Sequence, residues 1–390
     1  MRLSFACISF TSRCAREFID SFDITNLANP APIRLDSRAK YPHNCGKHTT
    51  LQLLLLTLVY AFVPRSRIKF GNEVRRLTES SHFEQTIADA IEFSGIGLHS
   101  GAPVKMRLLP APGGCGILFR RTDLDNFEIP ATGRNVAKVS YATSLMRQGV
   151  LISTTEHLLS AFIGSGIDNV IVEIDNLELP ILDGSALPYI EAFRDVGLKV
   201  QRRRREYLRI RKTIEVREGG KFIGVYPGEG YSVSYKIDFP TPIGRQGFVV
   251  DLATRDYAAQ IAPARTFGFK EDEEMLRNMG LIRGVSESSA IILNRKGVLN
   301  GPLRFDDEFV RHKVLDLIGD LALAGHHILG HVVAERAGHA MHTALVSRLL
   351  KDRSAWELVT LGQAKSKLKD RLKEKVSEKV PARAVALVTA

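Results

Sequence analysis

Cysteine is scarce in this chain: four in 390 residues, with Cys7, Cys14 and Cys45 near the start and Cys115 alone further on. That number and spacing exclude a disulfide framework or a Cys-x-x-Cys metal knuckle, and they suit a reducing compartment. Long apolar runs are lacking too. The longest, Leu53 to Val63, is broken by Thr57 and Tyr60 and falls well short of the ~20 residues that a spanning helix needs. A charge imbalance is missing where it would count. The formal net charge is +11, but residues 1–82 hold 12 Lys/Arg against 6 Asp/Glu and residues 364–390 hold 8 against 3. Residues 83–363 are left with 34 of each sign. A nucleic-acid interface needs a basic patch on the folded surface, so a neutral core argues against one. The run Arg202–Arg205 is the internal exception, and it reads as a solvated connector.

What is present belongs to a globular protein: 44% hydrophobic and 25% charged residues, in a chain long enough for two domains. Residues 1–83 mix Ser, Arg, Asn and Pro without a sustained period. Three readings compete for them: an extension from a misassigned start, a targeting segment, or a membrane-facing helix. The first, or a disordered extension, is preferred because a secretory signal would place its apolar region near Met1. The organised part divides into a domain at 84–200, a basic connector at 201–206, a second domain at 207–355 and a charged tail at 356–390. The tail includes a frayed helix over Lys365 to Lys379.

Alternation predicts strands at Val104–Leu108, Ile117–Phe119, Ile167–Ile174, Tyr207–Val216, Lys221–Tyr226, Tyr231–Asp238, Ala290–Leu293 and Leu329–Glu335. Helical spacing predicts helices at Ser153–Ile163, Ala186–Val196, Glu271–Met279, Asp306–Ala324 and His339–Leu350. Several strands followed by helices in each half make the class α+β, in two comparable domains.

The helix around residues 309–320 carries the clearest chemistry. Val310, Val314, Leu317, Ile318 and Leu321 form an apolar stripe, while His312, Asp316 and Asp320, spaced i, i+4, i+8, share the opposite face. A His and an Asp one turn apart can reach one cation. The plainer alternative is a polar face in water holding a weak His–Asp pair. In the other half, Ser153-Thr154-Thr155-Glu156 matches a capping box, which accounts for Glu156 but not for His157. His157 would complete a His₂Asp set with one open position, as in catalytic zinc sites, and Glu156 could then take a proton from water at the metal. His339 opens the last helix. A protonated imidazole there suits a leaving amine, but a helix N-terminus lowers its pKa, so it needs a carboxylate, for which Asp320 is the candidate. His326, His327 and His331 follow a helix end and read as structural or surface residues.

Gly95–Gly101, Leu118–Asp123, Ile152–Leu158, Gly166–Asn169, Pro180–Ser185, Ala264–Phe269, Phe309–Asp320 and Gly338–Ala340, in order and without a large gap, resemble one family: the UDP-3-O-acyl-N-acetylglucosamine deacetylases, zinc enzymes of lipid A synthesis. The resemblance runs from about residue 84 to 350. It implies two related α+β domains, each a mainly antiparallel sheet with a helix layer, the helices packed between two outer sheets. It implies zinc, with iron(II) as the alternative, on His157, His312 and Asp316, and Glu156 as general base. It further implies His339 as the cationic acid oriented by Asp320, Thr266 at the developing oxyanion, and Lys313 on substrate or intermediate. Phe267 would lie in the substrate cleft. Phe269, Met275 and Met279 would line an acyl passage with Leu98 near its mouth. The partner implied is a UDP-linked acyl amino sugar, with no nucleic acid and no membrane span. Peripheral membrane association is compatible with it, and the expected state is a monomer in a bacterial cytoplasm, with organelle targeting by the extension as the alternative. Two departures stand out: Val285 follows Gly284 where many members carry a second glycine, and both tails lack a counterpart.

Overall fold

The computed structural model describes residues 82–137, 141–252 and 257–361. The expected extension before residue 82, with its apolar run, and the charged helix after residue 361 lie outside the described residues.

Two sheets organise the fold. The first draws every strand from the first half, in the order Ile91–Ile96, Pro103–Pro110, Val170–Ile174, Ile117–Arg121, Phe127–Pro130. All its pairings are antiparallel except that between Ile117–Arg121 and Val170–Ile174. Alternation sets the faces: along Pro103–Pro110, Val104, Met106 and Leu108 are buried between exposed neighbours. The second sheet is built around the long strand His327–Glu335. That strand pairs with Lys221–Pro227 and, in parallel, with Glu206–Ile210 and Tyr231–Asp238. The class is therefore α+β with two mainly antiparallel sheets.

Six helices are described: α1 (Glu156–Ser165), α2 (Leu187–Val196), α3 (Tyr257–Gln260), α4 (Glu273–Asn278), α5 (Glu308–Ala322) and α6 (His339–Lys351). The central contact is α1 against α5, and it is close because of one residue. A Cβ on Gly319 of α5 would stand 2.0 Å from the carbonyl oxygen of Glu156 and 2.7 Å from its carbonyl carbon. Those are backbone atoms that cannot swing aside, so only glycine permits the crossing. Gly319→Ala should accordingly lower stability by about 1–3 kcal/mol or more through overpacking. It should also push Glu156 and His157 off their positions, visible as a joint loss of thermal stability and bound metal.

Several local expectations are corrected. The strand expected over Tyr207–Val216 is two, Glu206–Ile210 and Ile214–Glu218, which pair with different neighbours. The helix expected from Glu271 narrows to α4 after a 3₁₀ turn at Lys270–Asp272. The stretch assigned to a charged tail begins with a sheet strand, Trp356–Thr360, antiparallel to Glu206–Ile210. The arginine run is no loose connector. Leu198–Arg204 pairs with Phe83–Ile87. Arg202, Arg203 and Arg204 are exposed as expected, whereas Arg205 is 5% exposed and grips Asp168 through Nε at 2.8 Å and Nη2 at 2.6 Å. A guanidinium can be buried when a carboxylate meets it in bidentate geometry.

Candidate metal centre and active site

The face of α5 that could have been a solvated polar stripe is inside the protein. Every residue of α5 except Arg311 and Lys313 is buried; His312 and Asp316 are each 1% exposed and Asp320 0%. Three ionisable groups on one buried face need partners, because burying an unpaired charge is costly.

His312 has half of what it needs. Its Nδ1 lies 3.1 Å from the carbonyl oxygen of Ala264, which can only accept, so Nδ1 carries the hydrogen. In the neutral ring Nε2 is then a lone pair, and it faces Asp316 Oδ1 at 3.3 Å. Burial pulls the His312 pKa down to about 3, against the pull of Asp316, so the ring stays neutral at ordinary pH. His157 Nε2 comes to 3.6 Å from the same Oδ1, with its ring edge-on to that of His312. Asp316 Oδ1 is buried and has no hydrogen-bond partner. Burial opposes charge on Asp316, but His312, Lys313 and His339 outweigh it and hold the carboxyl well below its ordinary range.

A carboxylate oxygen with no donor, facing imidazole nitrogens, is the arrangement a cation resolves. Bonds of about 2.0–2.1 Å in tetrahedral geometry put neighbouring ligand atoms roughly 3.3–3.4 Å apart, close to the two separations found here. His157, His312 and Asp316 therefore fit a metal ion. The carbonyl holding His312 Nδ1 is the support that metal-bound histidines usually have.

A second cluster, Asp320, His339 and His342, also brings three ligand-type atoms within 4.8 Å, but its contacts are different. Asp320 Oδ2 receives His339 Nδ1 at 2.7 Å and His342 Nδ1 at 2.8 Å, and its Oδ1 receives the Thr143 hydroxyl. These are direct hydrogen bonds with no space for an ion between them. Burial opposes the His339 cation, but Asp320, Asp316 and Glu156 prevail and raise its pKa to about 9. The expected lowering by the helix N-terminus is thus overridden by carboxylates. His339 Nε2 points at Glu156 Oε1 and Asp316 Oδ2, 3.8 Å from each.

Glu156 does not close a capping box. α1 begins at Glu156 itself, after Thr154 at φ 59° and Thr155 at the N-cap without a side-chain cap. The Glu156 carboxylate instead accepts from Thr143 N at 3.0 Å, and Ser153 accepts from Ser144. Burial raises the Glu156 pKa against the pull of His339 and His157, favouring a carboxylate ready to take a proton.

The remaining expected residues fall into two groups. Lys313 Nζ lies 2.7 Å from Asp316 Oδ2 and 5.6 Å from the centre of the Phe267 ring. Phe267 stands edge-on to Phe239, Phe309 and His312. Thr266 sits in the same loop. That loop is pinned to α5 by Ala264 at His312 and by Arg265, whose Nε reaches buried Glu308 at 2.9 Å. Thr266 N donates to Gly184 O, and no side-chain hydrogen bond joins Thr266 to His157, His312 or Asp316. The second group makes no hydrogen bond or ion pair with the trio. Met275 and Met279 are exposed, Met279 Sδ lies 4.0 Å from the Tyr141 hydroxyl, and Phe269 is half-buried. Leu98 is nearly buried, and its carbonyl accepts from Gly284 N. Gly284 meets Gly97 so closely that a Cβ would stand 2.2 Å from the Gly97 oxygen, and Val285 follows in a turn onto Ile282. His326, His327 and His331 join neither cluster; His331 bonds Ser232 and Ser234.

Sequence reasoning missed Thr143, Glu178 and His342. Glu178, 1% exposed, accepts from His99 N, Ser100 N and the Thr154 hydroxyl, tying the Gly95–Gly101 turn to the entry of α1. Thr143 and Glu178 carry no local signal, and the only one for His342 is its place one helical turn after His339. Each finds its hydrogen-bond partners only in the folded chain, Asp320 for Thr143 and His342 and the Gly95–Gly101 turn for Glu178.

Similarity to known proteins covers the same stretch. A family model described as UDP-3-O-acyl N-acetylglycosamine deacetylase matches residues 84–351. A UDP-3-O-acyl-N-acetylglucosamine deacetylase of Solibacter usitatus is 55% identical over 287 residues, covering 73% of this chain and 97% of that protein. Proteins of the same name from Myxococcus xanthus and Cellvibrio japonicus are 44% and 40% identical, over 72% and 71% of this chain and 90% and 93% of their own lengths. With a match this long, falling on the segment that carries both histidine clusters, the chain belongs to the UDP-3-O-acyl-N-acetylglucosamine deacetylase family.

Proposed function

We propose that the chain removes the N-acetyl group of UDP-3-O-acyl-N-acetylglucosamine in lipid A synthesis, with zinc held by His157, His312 and Asp316. The observation that carries this reading is the donorless Asp316 Oδ1 facing two imidazole Nε2 atoms. Zinc bound there supplies a Lewis acid for the acetamide carbonyl and for water.

The other steps belong to the chain's own groups. Glu156 takes the proton of the attacking water. His339, kept cationic by three carboxylates, faces the same space and balances the charge that develops there. A proton delivered by His339, or returned by Glu156, lets the amine leave. Lys313 holds Asp316 Oδ2 and is placed to meet substrate, while Thr266 would steady the oxyanion. Phe267 offers the sugar an apolar wall. Phe269, Met275 and Met279 would receive the acyl chain, and the exposed methionines support that role, because an apolar ligand would cover them. The division into 84–200 and 207–355 remains our reading, supported by each sheet drawing its strands from one half. The strand Trp356–Thr360 carries the second domain to Thr360. Among the described residues no helix is long and apolar enough to cross a membrane.

The test is acetate release from the UDP-linked substrate by the full chain, with metal analysis of the same sample. Activity at about one zinc per chain, abolished by a chelator, is the expected result. A zinc-loaded but inactive protein would direct the search to another N-acyl sugar nucleotide.

His339 gives a second expectation. In metal-free protein its ring should titrate near 9, and loading a cation beside Asp316 should move that midpoint down. Because the folded value lies above the ordinary 6.5, the stabilisation is complete below about 6.5 and lost as pH rises through about 9. Histidine NMR measures the midpoint. The difference in urea midpoints between metal-free wild type and His339→Gln, closing over that window, measures the stability.

A further inference from the structure

We propose that His342 is a positioning residue for the reaction, locking the Asp320 carboxylate so that His339 presents Nε2 to the reacting groups. The inference rests on the functional reading above and extends it to a residue outside the metal and proton-transfer sets.

His342 sits one helical turn after His339 on α6 and is 0% exposed. Both ring nitrogens are engaged. Nδ1 lies 2.8 Å from Asp320 Oδ2, and Nε2 lies 3.0 Å from the Tyr235 hydroxyl, which in turn lies 2.8 Å from the Ala337 carbonyl oxygen. Asp320, ionised through its imidazole neighbours, can only accept, so His342 must donate through Nδ1–H. Burial keeps the His342 ring neutral, and the single Tyr235 hydroxyl proton is shared between Nε2 and the Ala337 carbonyl oxygen. A connected path runs from Tyr235 through His342 and Asp320 to His339.

Asp320 is fully buried, so protein donors alone orient its carboxylate. Thr143 fixes Oδ1, and His339 and His342 share Oδ2. With His342 gone, Oδ2 would be held only by the group it is meant to orient. The carboxylate plane could then turn and carry His339 Nε2 away from its place 3.8 Å from Glu156 and Asp316. Displacements of about 1 Å in such groups can cost on the order of 100-fold in rate.

The experiment compares His342→Ala, His342→Asn and Tyr235→Phe by steady-state kinetics, zinc content and proton NMR of hydrogen-bonded imidazole N–H groups. For His342→Ala, kcat should fall about 10- to 100-fold while KM and zinc per chain hold. His342→Asn, whose amide N–H can replace Nδ1–H, should recover most of that loss. Tyr235→Phe keeps the ring but withdraws the support at Nε2, and should lower kcat by a smaller factor. Wild-type kcat in His342→Ala, or Ala and Asn variants equally impaired, would overturn the proposal. A loss expressed in KM or zinc content would overturn it too. If His342→Ala does not fold, unchanged kcat in Tyr235→Phe overturns it instead. Should wild type itself fail to release acetate, the functional reading falls separately. The His339 Nδ1–H resonance still tests the network: it should shift in His342→Asn, and an unmoved resonance contradicts the link.

Discussion

Glu156→Gln should lower kcat by about 10²- to 10⁴-fold, the range for a lost general base, while zinc per chain stays at the wild-type value. Glutamine keeps the side-chain shape and can still accept from Thr143 N, so the close crossing of α1 and α5 should survive. What it removes is a proton acceptor whose pKa burial has raised. Glu156 is 3% exposed; of the carboxylates beside it, Asp316 faces the two imidazoles and Lys313, and Asp320 is held by Thr143, His339 and His342. Activity and metal analysis on one preparation check the prediction. Metal loss alongside activity would move Glu156 into the ligand set, and near-normal turnover would remove it from catalysis.

Asp316→Ala should lose bound zinc and, with it, essentially all turnover, because the metal's contribution is worth several kcal/mol, roughly a thousandfold or more in rate. Asp316 Oδ1 is the atom both histidines face, so its removal leaves two imidazoles and takes away the carboxylate between them that would hold a dication. Lys313 Nζ would also lose its partner and stand beside the site as an uncompensated cation, opposing metal further. His312→Ala should act in the same direction through loss of a neutral donor. Equilibrium dialysis with zinc followed by elemental analysis reads the effect. Zinc retained at wild-type level in Asp316→Ala would sink the ligand assignment. His312, with its pKa near 3, and Asp316, well below the ordinary range, are already in their metal-binding forms at pH 5. Acid release of the metal between pH 5 and 7 therefore cannot come from protonating either residue.

Some of this was legible in residue order. The period of 3.6 places His312, Asp316 and Asp320 on one helix face whatever surrounds the helix. Alternation along Pro103–Pro110 separates a buried from an exposed face in the same way. Reading failed where a local pattern had two uses. Ser153-x-x-Glu156 matches a capping box, but Thr154 at positive φ starts the helix later and frees the Glu156 carboxylate to face His339. Tyr207–Val216 is continuous in composition, yet its two parts pair with different strands, a choice made by the partners. Arg205 resembles its three neighbours and differs only because Asp168 lies beneath it.

The sequence by itself determined which groups could act as ligands, base and acid, and the helical spacing that lets two ligands share one cation, since both follow from residue type and backbone geometry. Tertiary structure decided that the His312 face is buried, that Gly319 lets α1 bring His157 and Glu156 onto it, and that Asp320 holds His339 and His342 together. Desolvation and charge–charge contact set protonation and metal affinity, and both depend on atoms brought together from distant parts of the chain.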